Sequence, residues 1–394
     1  MARSSFKSFL QPDLLRRIQP RHLVSLLKRF EGALLERGFK FPQDDRDDVD
    51  CRVLAGILAE PDEKLNDLVE ALYLIANVGV DEQFDELLEI AKNNCITTDD
   101  AKLTAPDLAT IVYLEVPQAL ERLDRAESLQ TRRKFESFIA RDPKIAVDAN
   151  ILPIELSPLE VDLRQWFDSK KRGRRCTITR KDCAGEIRFL IQHGDPYTRQ
   201  PSCDDVRSKS VIYRPERTDF VILDLIHNEM RINARHITEI KFYREIFCKR
   251  LFDDANRFVY DEKYTLKPLK RNARAALVCS DIDGMSSVVL KELEYRWPGP
   301  YDHSDRTRAS DVLKALSLRW NDLRGSPEFV TARFSVKLKN EKRRRSVKIV
   351  SRNIAEYGRG DEGMIIEEWL RQRGFVLIGT AAKDEETDAT MAGG

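Results

Sequence analysis

Residues 329–350 read FVTARFSVKLKNEKRRRSVKIV, with apolar and polar side chains alternating on both sides of a basic segment. Alternation with a period of two is typical of a strand that buries one face. The polar stretch between the two runs has the composition of a hairpin loop. We therefore predict an antiparallel hairpin of strands 329–338 and 345–350, with its tip at 340–345.

The same period of two recurs upstream of this hairpin. Segments 176–180 and 186–192 predict a second hairpin, and further strands are predicted at 210–213, 219–224, 230–234 and 288–297. Helical spacing of apolar residues predicts helices at 237–251 and 363–373. These elements predict a mixed, mainly antiparallel β-sheet domain with flanking helices.

The first 140 residues have a different pattern. Apolar residues recur at helical spacing, as in Leu23, Leu26, Leu27 and Phe30, and the segment Thr104–Asp107 has the sequence of a helix-capping box. A longer charged helix is expected to begin at Pro117 and to run through residue 139. The fold class predicted for the whole chain is therefore α+β, with an all-helical N-terminal domain.

The predicted domains follow these changes of period. They are an acidic helical domain at 1–140, a linker and short helix at 141–170, a basic α+β domain at 171–380 and a disordered tail at 381–394. Residues 1–170 contain 23 Lys and Arg against 32 Asp and Glu, whereas residues 171–394 contain 44 against 34. An excess of positive charge favours polyanionic partners; the alternative interpretation is that the acidic and basic halves attract each other.

The composition narrows the class of protein. No apolar run approaches the roughly 18 residues of a membrane helix, so no membrane partner is expected. The N-terminus lacks the apolar core of a secretion signal, and the seven cysteines are scattered and odd in number. Both features favour a cytoplasmic protein with reduced thiols.

The hairpin at 329–350 is the strongest functional signal, because closely spaced cations can lie along phosphates. The predicted nucleic-acid-binding residues, for DNA or RNA, are Arg174, Arg175, Lys337, Lys339, Lys342, Arg343, Arg344, Arg345 and Lys348. The alternative is a solvated edge strand whose lysines discourage aggregation. The N-terminal helices are expected to dock a protein partner.

These features predict a non-enzymatic protein, such as an accessory or sensor component of a multi-protein system. One alternative is a scaffold whose basic half pairs with its acidic half or with another protein. A second alternative is a metal-dependent nuclease or phosphoesterase that uses Asp224, Glu239 and Lys241. That site needs a strand at 237–242, whereas the apolar spacing there predicts a helix.

No cofactor is predicted, because the chain contains neither of the common glycine-rich phosphate-binding motifs. Four residues offer zinc-ligating side chains, namely Cys176, Cys183, His193 and Cys203, but their spacing lacks the C-x₂-C pattern of structural zinc sites. The polar loops at 193–197 and 213–219 are interpreted either as ordinary turns or as ligand-binding loops.

Overall fold

The computed structural model divides the chain into two compact units, Met1–Thr131 and Arg132–Gly394. The structure describes residues 12–60, 63–98, 103–127, 132–142, 144–147, 155–183, 185–203, 208–259, 262–317, 319, 323, 327–339, 341–358 and 361–377. The first unit contains 16 basic and 25 acidic residues, and the second contains 51 and 41. The charge asymmetry of the sequence therefore follows the structural division.

The described part of the first unit is helical. Its α-helices are α1 (Pro12–Leu15), α2 (Pro20–Lys28), α3 (Glu31–Glu36), α4 (Cys51–Ala59), α5 (Asn66–Val78), α6 (Phe84–Asn93), α7 (Ala105–Glu115) and α8 (Pro117–Glu127). Their apolar faces meet in one core that includes Leu27, Leu54, Leu72 and Leu108. The predicted capping box begins α7, where the Thr104 hydroxyl donates to the Asp107 carboxylate at 2.7 Å.

The second unit is built on strands. They are β1 (Lys134–Ala140), β2 (Cys176–Cys183), β3 (Glu186–Gly194), β4 (Thr198–Cys203), β5 (Ser208–Tyr213), β6 (Glu216–Asp224), β7 (Glu229–Asn233), β8 (Phe258–Val259), β9 (Met285–Arg296), β10 (Ser304–Arg308), β11 (Glu328–Leu338), β12 (Arg345–Val350) and β13 (Ile354–Glu356). An 11-stranded sheet has the order β10-β9-β11-β12-β13-β1-β7-β6-β3-β2, with β8 also pairing β1. Strands β4 and β5 form a separate two-stranded sheet.

Helices of the second unit pack in two layers. Helices α9 (Ser157–Ser169) and α10 (Ile237–Phe252) cover β2, β3, β6 and β7. Helices α11 (Lys267–Asn272), α12 (Val312–Ala315) and α13 (Asp361–Gln372) cover β9, β11, β12 and β13.

The two helix layers lie on opposite faces of the large sheet. Glu136 of β1 stands directly opposite Ile232 on one side and Ile354 on the other. Paired residues share a face, and Ile232 belongs to the core under α10. Ile354 therefore faces the α10 side, whereas its neighbour Ala355 is buried in the core under α13. As a result, none of the described helices α11–α13 packs on the other face of β9–β13.

The predicted α+β fold class and the all-helical N-terminal part are confirmed. The hairpin at 329–350 is also confirmed as β11 and β12, which pair from Thr331–Val350 to Val336–Arg345. The helix expected to continue through residue 139 is wrong, because residues 134–140 form β1 in the middle of the sheet. The predicted disordered tail at 381–394 lies outside the described residues.

Candidate nucleic-acid interface

The side of β9–β13 opposite α11–α13 carries hydroxyls and cations. Strand pairing places Ser287 opposite Lys337, and Ser335 opposite Ser346. Arg333 of β11 stands opposite Lys348 of β12 on the same face. The alternate residues of β11, such as Phe334 and Val336, are fully buried beneath the sheet. The strand period therefore separates a polar outer surface from the core.

We call this surface the cationic face and define it as the outer side of β9–β13 together with Lys342, Arg343 and Arg344 of the hairpin tip. Glu341 and Arg345, also in the tip, pair with each other and are not counted. The charged members of the cationic face on the described residues are nine cations and four carboxylates. The cations are Arg296, Arg306, Arg308, Arg333, Lys337, Lys342, Arg343, Arg344 and Lys348, and the carboxylates are Glu292, Glu294, Glu328 and Glu356.

Three arginines of the cationic face surround one carboxylate. The Nε atoms of Arg306 and Arg308 each donate to Glu292 at 2.7 Å, and Arg333 Nε lies 3.7 Å from it. Burial alone would raise the pKa of Glu292, but the hydrogen bonds from Arg306 and Arg308 outweigh it and lower the pKa. One buried negative charge therefore holds three arginines in place and leaves a positive surplus.

The hairpin tip contributes cations that have no carboxylate partner among the described residues. Lys342 and Arg343 are exposed, and no described carboxylate lies within ion-pairing distance of either. Arg344 donates to the Ser335 carbonyl at 3.2 Å and to the Ser287 hydroxyl at 3.0 Å, so its guanidinium lies across β11 and β9. Lys337 donates to the backbone carbonyls of Glu341 and Lys342, which closes the tip.

Three other predicted residues are held in local ion pairs. Lys339 lies 2.9 Å from Asp283, and Lys348 lies 3.1 Å from Glu356. Arg345 points to the α13 side of the sheet and binds both carboxylate oxygens of Glu341 at 2.8 and 2.9 Å. These residues are less available to an external phosphate than Lys342, Arg343 and Arg344.

Arg174 and Arg175 lie elsewhere. They immediately precede β2, which is six strand positions from β12, or about 30 Å at the usual strand spacing. Arg174 Nε lies 3.0 Å from Asp168, and Arg175 lies 3.9 Å from Glu216. The structure therefore does not bring them together with the hairpin.

Sequence reasoning missed Arg306 and Arg308. The segment Ser304–Arg308 is polar throughout, but the spacing of two residues places both arginines on one face of β10. That spacing was the available signal. Their convergence with Arg333 on Glu292 depends on pairing between strands and has no signal in any one segment.

The acidic site of the nuclease alternative is not assembled. Residues 237–252 form α10, in which Glu239 caps the helix start by accepting from the His236 backbone N–H at 2.8 Å. Asp224 instead accepts from Arg231 at 2.8 Å and contacts His227 Nδ1 at 2.9 Å. Burial opposes ionisation of Asp224, but the hydrogen bond from His227 and the charge of Arg231 lower its pKa.

The residues considered for zinc binding also have other roles. His193 Nε2 lies 3.0 Å from Asp219, and its ring stacks on Phe167. Cys176 is buried, and burial raises the pKa of its thiol to about 12. The described residues contain no group of three or more His, Cys, Asp or Glu side chains placed to hold a metal.

Chemically, the cationic face can bind several phosphates through guanidinium, ammonium and hydroxyl groups. No protein-family model matches this chain, and no curated protein matches it in sequence. In the described parts of the chain, every helix is too short or too polar to cross a lipid bilayer.

Proposed function

We propose that this protein binds the sugar–phosphate backbone of nucleic acid through the cationic face, without catalysing a reaction. The observation that carries the proposal is the surplus of nine cations over four carboxylates on a sheet face that helices α11–α13 leave open. A cation that already pairs with a carboxylate contributes little additional binding free energy when it contacts a phosphate. Lys342, Arg343 and Arg344 have none among the described residues, so they carry most of the expected affinity.

The chemistry of the face favours backbone contact over reading of bases. Its outward positions on the described strands bear hydroxyl, aliphatic and charged side chains, and aromatic residues such as Tyr295 and Phe329 point into the core. Base stacking on aromatic rings therefore does not contribute. Arginine and serine side chains bind phosphate oxygens without regard to sequence, so we expect similar affinity for unrelated sequences.

We further propose that the helical unit docks a protein partner. Its support is a small apolar depression lined by Leu15, Ile18, Leu72, Ile75 and Pro106. Exposed Leu35 and Val53 lie on helices of the same unit. With two different binding surfaces, the protein would act as an accessory component that links nucleic acid to another protein.

Fluorescence anisotropy with a short labelled duplex tests the main proposal. The intact protein is titrated at low salt against duplex DNA, duplex RNA and a single strand of the same sequence. We expect binding to two unrelated duplex sequences with affinities that agree within about threefold, as backbone contacts predict.

The informative variant is Lys342→Ala, Arg343→Ala and Arg344→Ala combined. Its matched control is Arg174→Ala, Arg175→Ala and Lys339→Ala combined, which removes the same net charge from cations that lie outside the cationic face and have carboxylate partners. We expect the first variant to lose at least about tenfold in affinity, and the control to lose much less. Absence of binding by the intact protein would contradict the proposal and favour the scaffold alternative.

A further inference from the structure

Strands β4 and β5 form an arm that projects from the second unit. They pair with each other from Thr198–Tyr213 to Cys203–Ser208. All six residues of β5 are exposed, and only Thr198 of β4 is partly covered. Within the described residues, the outer edges of both strands make no backbone hydrogen bond to another strand.

The base of the arm is held firmly. Arg214 packs on the ring of Tyr197 at 4.5 Å and against Gly173 and Gly194. A Cβ at Gly194 would lie 2.5 Å from the Arg172 carbonyl oxygen. Only glycine therefore allows the backbone at residue 194 to lie this close to the backbone at Arg172. The Asp195 backbone N–H donates to the Pro215 carbonyl at 2.8 Å, which closes the base. The arm therefore projects from a defined point rather than from a loose loop.

The exposed part of the arm has the character of an interface. Val211, Ile212 and Tyr213 are 47%, 68% and 38% exposed. A two-stranded sheet alone is only marginally stable in water, and an apolar free edge tends to pair with another strand. A partner that adds to β5 would satisfy its edge and cover these side chains.

We propose that β5 pairs with β5 of a second copy of this chain. The two arms would then form a four-stranded antiparallel sheet across a two-fold axis. Directly opposite residues must share a face, so the axis passes through one residue. With the axis at Val211, the two Val211 side chains meet, Ser210 faces Ile212, and Lys209 faces Tyr213.

Charge and composition favour a second copy over other occupants. Lys209 is the only charged residue of β5, and this register places it opposite a tyrosine rather than opposite another Lys209. Val211 pairs with a β-branched residue, which is a favourable cross-strand neighbour. A nucleic acid would instead need several cations along the strand, and β5 has one.

Sedimentation velocity over a wide range of protein concentration tests the proposal with no nucleic acid present, so its outcome does not depend on the binding proposal. We expect the mass of two chains for the unaltered protein. Val211→Lys places two like charges directly opposite each other and should raise the dimer dissociation constant about tenfold or more. The control Gln200→Lys adds the same charge on β4, next to Val211 within the same arm, and should leave most of the dimer.

Cross-linking gives a second, independent measurement. Opposite Cα atoms of antiparallel strands are about 4.5–5.5 Å apart, which a disulfide can span. In a chain with exposed Cys95 and Cys203 changed to Ser, Val211→Cys should form a covalent dimer on mild oxidation, and Gln200→Cys should not. A monomer at every concentration overturns the proposal. So does a dimer that Val211→Lys leaves intact and Val211→Cys fails to cross-link.

Discussion

Two charge clusters in the same sheet have opposite compositions. In one, the Arg231 guanidinium contacts Glu186 at 2.5 Å, Asp224 at 2.8 Å and Glu229 at 3.3 Å. In the other, Glu292 is surrounded by Arg306, Arg308 and Arg333. The first has one cation among carboxylates, and the second has one carboxylate among cations.

Their surroundings explain why the two clusters have different roles. Arg231 is 4% exposed, and buried Lys263 lies 2.7 Å from Glu229 and adds a second positive charge. Charges in that cluster nearly balance, as burial requires. Arg306 and Arg308 are 44% and 65% exposed, so their surplus charge remains in contact with solvent. We therefore expect the first cluster to stabilise the fold, whereas the second leaves a surplus of positive charge in contact with solvent.

The largest expected loss of stability comes from removing Arg231, the central cation of the balanced cluster. Arg231→Met should reduce the free energy of unfolding by about 3–5 kcal/mol, because it leaves buried carboxylates without their central cation. All four tryptophans, at 166, 297, 320 and 369, belong to the second unit, so their fluorescence in a urea titration reports that unit alone.

Arg188→Met is the matched control for this change. Arg188 lies 3.0 Å from Glu186, but its side chain is 28% exposed. Water therefore compensates for part of the lost ion pair with Glu186. We expect it to cost about 1 kcal/mol or less. Equal costs for the two variants would show that the Arg231 cluster has no special structural role.

A smaller effect is expected at Glu292. Glu292→Gln should destabilise the protein by about 1–3 kcal/mol at neutral pH, since charged hydrogen bonds to Arg306 and Arg308 are weakened. The pKa of Glu292 is lowered in the folded state, so its stabilisation is present above the ordinary pKa of a glutamate. It is lost as the pH falls through the lowered folded value.

Urea titrations from neutral to acidic pH check this dependence. The difference in stability between the unaltered protein and Glu292→Gln should shrink as the pH falls below about 4.5. Glu294→Gln, on the same strand, is the control and should show a weaker dependence. A difference that stays constant across this pH range would contradict the role assigned to Glu292.

The smallest effect on stability is expected at the hairpin tip. Lys342→Ala with Arg343→Ala should change the free energy of unfolding by no more than about 0.5 kcal/mol, because both side chains are exposed and have no described carboxylate partner. The same urea titration measures it. A large loss of stability would mean that these cations support the fold, and the proposed binding surface would lose its main residues.

Local patterns predicted the elements well where one face of a strand is exposed. The alternation in β11 and β12 was visible because residues such as Arg333 and Lys348 face outward. β1 was mistaken for helix because Phe135, Glu136, Ser137 and Phe138 are all buried, which removes the alternation. Its partners, β7 and β13, are distant in sequence.

The candidate site was predictable only in part. The basic run at 342–345 was visible in the sequence, but the strand register decides which of its members have partners. Arg345 is paired with Glu341, whereas Arg344 lies across the outer face. The opposite placement of the two helix layers, which leaves that face open, arises from pairing around β1 and cannot be read from any one segment.

The salt dependence of binding tests the central claim most directly. The logarithm of the association constant for duplex DNA is measured against the logarithm of salt concentration for the unaltered protein, the Lys342/Arg343/Arg344→Ala variant and the Arg174/Arg175/Lys339→Ala control. If each tip cation contacts one phosphate, the first variant should lower the slope by about 2.7 and the control by less than about 1. Equal losses in both variants, or no loss in the first, would contradict phosphate binding at the hairpin tip.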